Sequence, residues 1–273
     1  MKKEDWKNPM LLCGVFLFLM LAVMALLGPF LSPFDSTSMD ASIRNQGCTF
    51  LHLFGTDKFG RDLFVRVCEG VKISLFVGIG SACINGLIGI VWGGIAGYGN
   101  KGIDFLLMRM AEVIESIPSL LYVIFVMLVF GTNGGSILAG LCVSGWTQTA
   151  RIVRGEVLRL KDMEYCLAAR LSGAGGRYIF FRHILPNVSG PIIVSITSLI
   201  PQAIFTEAFL SFVGVGIPAP KASLGTLIQG AQSQMQVYPY QMLIPMCILV
   251  LLILALQWIG TGFEEVVRKK KGK

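Results

Sequence analysis

Charge is scarce in this 273-residue chain: 14% of residues are Asp, Glu, Lys or Arg, against 54% hydrophobic, where a soluble globular domain carries about a quarter charged. With a mean hydropathy of +0.70, the chain reads as a bilayer protein. Histidine is nearly missing, with only His52 and His183, so neither a zinc site nor the base of a nucleophile is signalled. The seven cysteines contain no C-x-x-C pair. A bridge between Cys48 and Cys68, outside the membrane, is the disulfide left open to them. No G-x-x-x-x-G-K-[ST] occurs, so the chain does not cradle nucleotide phosphates, and no G-x-S-x-G elbow occurs either. "GYGNKG", Gly97 to Gly102, satisfies G-x-G-x-x-G but follows an apolar helix instead of a strand; it reads as a turn between spans. These absences leave a membrane protein that is not an enzyme and binds no metal or cofactor of its own.

What the chain has in abundance is uncharged length. No charge falls between Lys7 and Asp35, and Pro9 to Leu31 exceeds the roughly 20 residues needed to cross a hydrocarbon core. It reads as a first span and not a cleaved signal, because acidic residues precede it and no small-x-small site follows. A second uncharged run lies between Lys72 and Lys101. Small residues at Gly78, Ala82 and Gly86, and again at Gly89, Gly93 and Gly97, form stripes where another helix can approach closely. As one helix, Ser116 to Ala150 would be about 50 Å long, too much for a core of about 30 Å. "GTNGG", Gly131 to Gly135, is therefore expected to turn, making spans three and four. Span three then begins earlier and carries Arg109, Glu112 and Glu115, the first two spaced to pair. A fifth span follows Asn187 and ends near Val213; a sixth runs from about Tyr240 to Gly260.

Six spans put both termini on one side. With the N-terminus inside, Arg44, Lys58, Arg61, Arg66, Lys72 and Lys221 are the outside basic residues, leaving 17 of 23 inside. A single span over 116–150 would send Arg268 to Lys273 outside, against the positive-inside tendency. The net charge of +7 is thus an orientation signal and not a footprint for nucleic acid. The expected layout is a cytoplasmic N-terminus (1–8), a first helix (9–31), an extracytoplasmic loop (32–72), a five-helix core (73–263) and a basic cytoplasmic tail (264–273). The core contains a cytoplasmic loop at 151–187 and an extracytoplasmic loop at 214–239.

Two features stand out. "EYCLAARLSGAGGRYIFFRHILPN", Glu164 to Asn187, is charged and glycine-broken. Good helix formers from Arg154 to Ala169, with Val153, Val157, Leu158, Leu160, Leu167, Ala168 and Leu171 on one apolar face, predict a helix. Gly173, Gly175 and Gly176 predict a bend, and a short second helix starts at Tyr178. Small Ala168 and Ala169 leave room for another surface, with Tyr165, Phe180 and Phe181 as anchors. This is either a knob for a partner's cleft or an amphipathic helix lying on headgroups. The other feature is Glu207, an acid inside span five with Ser211 one turn on. It faces protein or water, either lining a path or latching an outer gate, or pairing near the outer end to orient the loop behind it.

The sequence closely resembles the permease subunits of binding-protein-dependent ABC importers, in the dipeptide/oligopeptide/nickel group. That family's E-A-A-x-x-x-G-x(9)-I-x-L-P loop is matched by Leu167-Ala168-Ala169, Gly173 and His183-Ile184-Leu185-Pro186. Leu167 stands where the consensus has Glu, and His183 where it has Ile. "LFGTDKFGRDLFVRVCEGVKISL" (Leu53 to Leu75) resembles the group's H-x-L-G-T-D-x-x-G-R-D signature, with Phe54 as an apparent insertion. "GYGNKGIDFLLMR", "SIPSLL" and "TEAFLSFVGVGIPAPKASLG" match further motifs in order; "LQWIGTGFEEVV" departs more.

The resemblance implies an all-α type I ABC importer permease fold with six transmembrane helices and cytoplasmic termini, in a cell membrane. It implies a paralogous second permease, two ABC ATPases that bind ATP and Mg, and an extracytoplasmic solute-binding protein. It assigns Glu164, Leu167, Ala168, Ala169, Gly173, Ala174, His183, Leu185 and Pro186 to an ATPase-coupling loop, and Glu207 and Ser211 to the translocation path or gate. Gly55, Thr56, Asp57, Gly60, Arg61 and Asp62 form the extracytoplasmic signature, which meets the binding protein unless Arg61 and Asp62 simply pair internally. Peptide is the expected substrate, and nickel the alternative within the group. An ion-coupled secondary transporter and a pure scaffold are the alternatives from other classes.

Overall fold

The computed structural model describes residues 8–218 and 220–271. Lys2, Lys3, Lys7 and Lys273, counted above as cytoplasmic, and most of the 1–8 segment lie outside the described residues. Among the described residues, regular structure is helical: α1 (Pro9–Leu31), α2 (Leu63–Tyr98), α3 (Lys101–Glu115), α4 (Ser119–Phe130), α5 (Gly134–Ser144), α6 (Trp146–Leu160), α7 (Glu164–Leu171), α8 (Gly176–Ile179), a π-helical turn (Phe180–Ile184), α9 (Leu185–Phe212), α10 (Leu224–Ala231) and α11 (Tyr240–Lys271). Among the described residues, four helical segments are long and apolar enough to cross a membrane: α1, α2, α8 through α9, and α11. The pair α3 and α4, bent by 77°, counts as a fifth if taken as one span.

The glycine stripes of α2 set the packing. A Cβ at Gly78 would lie 2.6 Å from Ile204 and one at Gly86 2.6 Å from Ile196, so this stripe faces α9. The second stripe faces α6: a Cβ at Gly93 would lie 2.2 Å from the Ala150 carbonyl oxygen, and one at Gly97 2.8 Å from Val157. Thr149 of α6 and Ser195 of α9 share a hydrogen bond of 2.8 Å, closing the three-helix unit. Around it, Val77, Val123, Met127, Ile137, Leu141 and Leu210 bury α4 and α5 against α2 and α9. Leu21, Ala25, Val67, Val71, Leu224, Leu252 and Leu256 bury α1, α10 and α11 against the other side.

The chain alternates between two ends of this bundle. At one end Asn8 Nδ2 donates to Glu265 Oε2 at 2.8 Å, and Gly190 at the start of α9 abuts Val267. At the other, the Tyr240 hydroxyl at the start of α11 donates to the carbonyls of Gln46 and Thr56 at 2.9 and 3.0 Å. α1 lies along α11, with Gly14 against Trp258 and Gly262 against Leu11.

Several boundaries differ from expectation. The second helix begins at Leu63, not after Lys72, because Asp62 caps it by accepting from the Val65 N–H at 2.9 Å. Its 36 residues span about 54 Å, well beyond a hydrocarbon core. α11 does not stop near Gly260 but continues through Lys271, so residues 264–271 of the expected tail are helical. The turn at 131–133 is present, with Gly131 at φ +84°. A second break at Ser116–Pro118, unforeseen, separates α3 from α4. Pro118 ends the incoming helix, and the Tyr122 hydroxyl donates at 3.0 Å to the Ile114 carbonyl, which also accepts from the Ile117 N–H at 3.4 Å. Arg109 and Glu112 pair at 2.9 Å. No disulfide joins Cys48 and Cys68: both are free, and Cys68 is buried in α2, donating to the Met24 carbonyl at 3.3 Å.

Because the Ala150 carbonyl is backbone and cannot swing aside, Gly93→Val must separate α2 from α6. It is expected to destabilise the protein by about 1–3 kcal/mol, seen as a lower unfolding temperature in detergent. Gly155→Val, on the same α6 but with open space around its Cβ position, should change that temperature far less.

Candidate functional site

The segment from α7 to the start of α9 is built to stand proud of the bundle. α6 ends at Leu160, so the predicted helix from Arg154 through Ala169 is in fact broken at Lys161–Met163. Lys161 Nζ donates to the Gly97 carbonyl at the end of α2, 3.1 Å away. Arg154 makes a two-pronged hydrogen bond to Asp104 of α3, with Nη2 to Oδ2 at 2.7 Å. The end of α6 is thereby tied to the ends of two other helices.

α7 carries Glu164 in its first turn and Arg170 in its last, the charge order its dipole favours. It closes with the Gly173 N–H on the Arg170 carbonyl (3.1 Å) and the Ala174 N–H on the Ala169 carbonyl (3.0 Å). This Schellman pattern needs a left-handed residue at its corner, and Gly173 has φ +81°. That explains in physical terms why the motif has glycine here. After α8 the chain relaxes into a π turn, with the Leu185 N–H on the Phe180 carbonyl. Pro186, which has no N–H to donate, follows at once.

The segment has an inner and an outer side. Cys166, Ile179 and Ile184 are buried with Val153, Val157, Leu160 and Val188, and Ala169, Ala174, Phe180 and Leu185 pack partly against them. Burial pushes the Cys166 thiol above the ordinary cysteine range, which keeps it protonated and unreactive. Phe180, expected as an anchor for a partner, instead covers Gly94 and meets Tyr98 edge-on at 6.3 Å. His183 is half-buried between the rings of Tyr165 (6.3 Å) and Tyr178 (5.9 Å), bracing α7 against α8. Outward face Glu164, Leu167, Ala168 and Pro186, together with Leu171 at 89%, Phe181 at 66% and Tyr178 at 57% exposure. Leu171 had been placed on one face with Val153 and Val157. The break at 161–163 rotates it away, and no periodicity count across that break finds it.

The Gly55–Asp62 signature folds into a knot. Gly55 and Gly60 have φ +74° and +75°, and a Cβ at Gly60 would fall 1.8 Å from the Asp40 carbonyl oxygen. Arg61 and Asp62 do not pair with each other, as one reading had it. Arg61 Nε donates to Asp57 at 2.7 Å, and Asp62 meets His52 Nδ1 at 2.8 Å, with Phe34 stacked on the imidazole at 4.3 Å. The Thr56 hydroxyl binds the Ile43 carbonyl and accepts from the Gln46 N–H, while Gln241 Nε2 donates to the Thr56 carbonyl at 3.0 Å. The knot thus joins residues 32–62 to the beginnings of α2 and α11.

Glu207 is fully buried. Ser74 of α2 donates to its Oε2 at 2.9 Å and Ser211 to its Oε1 at 2.8 Å. Ser223, the cap of α10, donates to the Ser211 hydroxyl at 3.3 Å. A Cβ at Gly225 would lie 2.4 Å from the Ala208 carbonyl oxygen, so α10 is pressed onto α9 where this network sits. The carboxylate therefore joins α2, α9 and α10.

The chain resembles proteins of known kind across nearly all its length. The family model for the binding-protein-dependent transport system inner membrane component matches residues 89–269, and that for the N-terminal TM domain of oligopeptide transport permease C matches residues 6–47. The dipeptide transport system permease protein DppC of Bacillus subtilis is 42% identical over 97% of this chain and 83% of its own. The oligopeptide transport system permease protein OppC is 36% identical in Bacillus subtilis and 34% in Escherichia coli, each over 98% of this chain and 90% of its own. Among solved structures, an inward-facing MetNI methionine ABC transporter superposes with a TM-score of 0.58 over 76% of this chain and 95% of that one, at 20% identity, a likeness of fold. The chain belongs to the inner membrane components of binding-protein-dependent transport systems, in the group of the oligopeptide and dipeptide permeases.

Proposed function

We propose that this chain is one of two permease subunits of an ATP-driven peptide importer, and that α7 and α8 couple it to a separate ATPase. The observation that carries this reading is the two-sided coupling segment: its inner side is locked to α2, α6 and α9, while its outer side presents Leu167, Leu171 and Tyr178 to whatever lies beyond the bundle. An amphipathic helix resting on headgroups would need no Schellman corner or His183 brace. The peptide substrate follows the relatives named as dipeptide and oligopeptide permeases.

In this proposal the chain crosses the membrane six times, with α3–α4 and α5–α6 as broken spans, and the end holding Asn8, Glu265 and α7 is cytoplasmic. ATP and Mg bind only to two partner ATPases. A paralogous permease completes the path, and the loops at 32–62 and 213–239 face a solute-binding protein. When the ATPases close, α7 is carried with them. Because α7 is tied to α6, and the π turn joins α8 to α9, those helices rock as bodies between outward and inward states. Differential binding of the two ATPase states supplies the driving energy. Glu207, which joins α2, α9 and α10, is the latch that keeps the extracytoplasmic end shut or open as one piece.

The test is a cysteine scan in a complex stripped of native cysteines. Thiols at Ala168 and Leu171 should crosslink to the ATPase in a manner that changes with ATP, while thiols at the inward-facing Ala169 and Ala174 should not. Crosslinks from all four, or from none in an assembled complex, would refute the coupling surface. Leu171→Asp should release the ATPase and abolish uptake. Glu207→Gln should assemble normally yet import peptide about tenfold more slowly, about 1.4 kcal/mol on the rate-limiting step; uptake at the wild-type rate would remove the latch role. Uptake should also persist when proton and sodium gradients are collapsed and stop when ATP is depleted, the reverse of an ion-coupled carrier.

A further inference from the structure

At the end of the bundle where α2 and α11 begin, the knot, α10 and the loop after α9 enclose a cavity of about 490 Å³. Its wall holds four cationic side chains, Lys58, Arg61, Arg66 and Lys221, and one carboxylate, Asp57. Two of the cations are deeply set: Arg61 is 9% and Arg66 6% exposed. Buried guanidinium groups need acceptors, and the chain supplies too few. Asp57 Oδ1 is taken by the Phe59 and Arg61 N–H groups at 2.8 and 3.0 Å. Its Oδ2 accepts from Arg61 Nε at 2.7 Å and lies 3.7 Å from Arg66 Nε, so a single oxygen serves both guanidinium groups. Arg66 Nη1 donates to the Ser36 carbonyl at 3.0 Å, and its Nε is sealed without a hydrogen-bond partner. Arg66 Nη2 and both Nη groups of Arg61 also lack an acceptor among the described residues, but these are not sealed. Both side chains line the cavity, so the unused donors open on it.

We infer that this cavity is a receiving site for the C-terminal carboxylate of a peptide, an assignment that rests on the transport reading above. Fork-shaped guanidinium groups match a carboxylate through parallel hydrogen bonds, and excess positive charge on a concave wall concentrates anions before they bind. The Arg61 guanidinium lies over the Phe59 ring, 4.7 Å from its centroid, which helps to hold it in place. Beside the cations the wall is uncharged: Leu63, Ile217 and Leu227 are apolar, and Thr226 and Gln229 of α10 offer hydrogen bonds to amides. The volume falls within the roughly 300–1,000 Å³ of sites that enclose a whole small ligand, which suits a di- or tripeptide better than a bare inorganic anion. A peptide's ammonium is repelled by the same wall, so the peptide enters with its carboxylate leading. Ser211, which donates to Glu207, lines the cavity as well. A peptide seated here therefore lies against the network that joins α2, α9 and α10.

The test uses the complete complex in proteoliposomes, with trialanine as the probe and its C-terminal amide as the neutral counterpart. A Gln229→Cys thiol, in a background without native cysteines, should react at least about fivefold faster with an anionic methanethiosulfonate than with a cationic one. Trialanine should slow that labelling at least about fivefold, and trialanine amide less than about twofold. Lys58→Gln combined with Lys221→Gln, at side chains that are not buried so that folding is not at issue, should raise the half-protecting trialanine concentration about tenfold. Equal protection by trialanine and its amide, protection by acetate at the same concentration as trialanine, or protection by the solute-binding protein but not by trialanine would each overturn the peptide site. ATP-driven uptake of trialanine in the same vesicles upholds the importer whichever way the labelling falls. Vesicles that take up none, with the solute-binding protein and ATP present, would overturn the transport reading and the site with it.

Discussion

Between helices in lipid, burying a leucine gains little, because the alternative surroundings are equally apolar. Close approach must do the holding, and in this protein it depends on glycine. The stripe at Gly78 and Gly86 admits Ile204 and Ile196 of α9, while the stripe at Gly89, Gly93 and Gly97 brings the backbone of α2 to that of α6. Each missing side chain converts a gap into dispersion contacts over the length of the helix. Everything described at either end of the bundle is positioned by this three-helix contact: the projection of α7 and the seat of Glu207.

The two ends of the molecule are made differently. The end where α2 and α11 begin is held by polar groups, through the knot at residues 40–62 and the Glu207–Ser74–Ser211 network, where each hydrogen bond fixes an angle as well as a distance. The opposite end is held by an apolar cluster around Val157 and Ile179, with ion pairs at its rim. That cluster joins α7 and α8 to α6 and α9 as one packed body.

Much of this was legible in the sequence, for reasons that can be named. Uncharged length located α1, α2, α9 and α11, since hydrocarbon leaves few other placements for such runs. The spacing of small residues marked the contact face of α2, and the glycines at 173, 175 and 176 marked a bend, though not its left-handed corner. Other features were hidden because they depend on tertiary partners. The break at Pro118 was passed over because uncharged residues continue through it. The early start of α2 was masked by Arg66, Glu69 and Lys72, charged residues in its first three turns. The pairing of Asp62 with His52 could not be separated from a pairing with Arg61, since both lie within reach of one short loop. Leu171 was misplaced because one helical period was extended across two helices.

The side-by-side placement of α1 and α11 has a bearing on how the protein is made. A ribosome delivers α1 long before α11, so α1 waits through the synthesis of more than two hundred residues before this neighbour arrives. Until then Gly14 faces lipid instead of Trp258, and the Asn8 amide has no Glu265 to meet. A chain cut short anywhere before α11 leaves that face of α1 unfilled, which gives membrane quality control a mark of incompleteness more than two hundred residues away from the missing part.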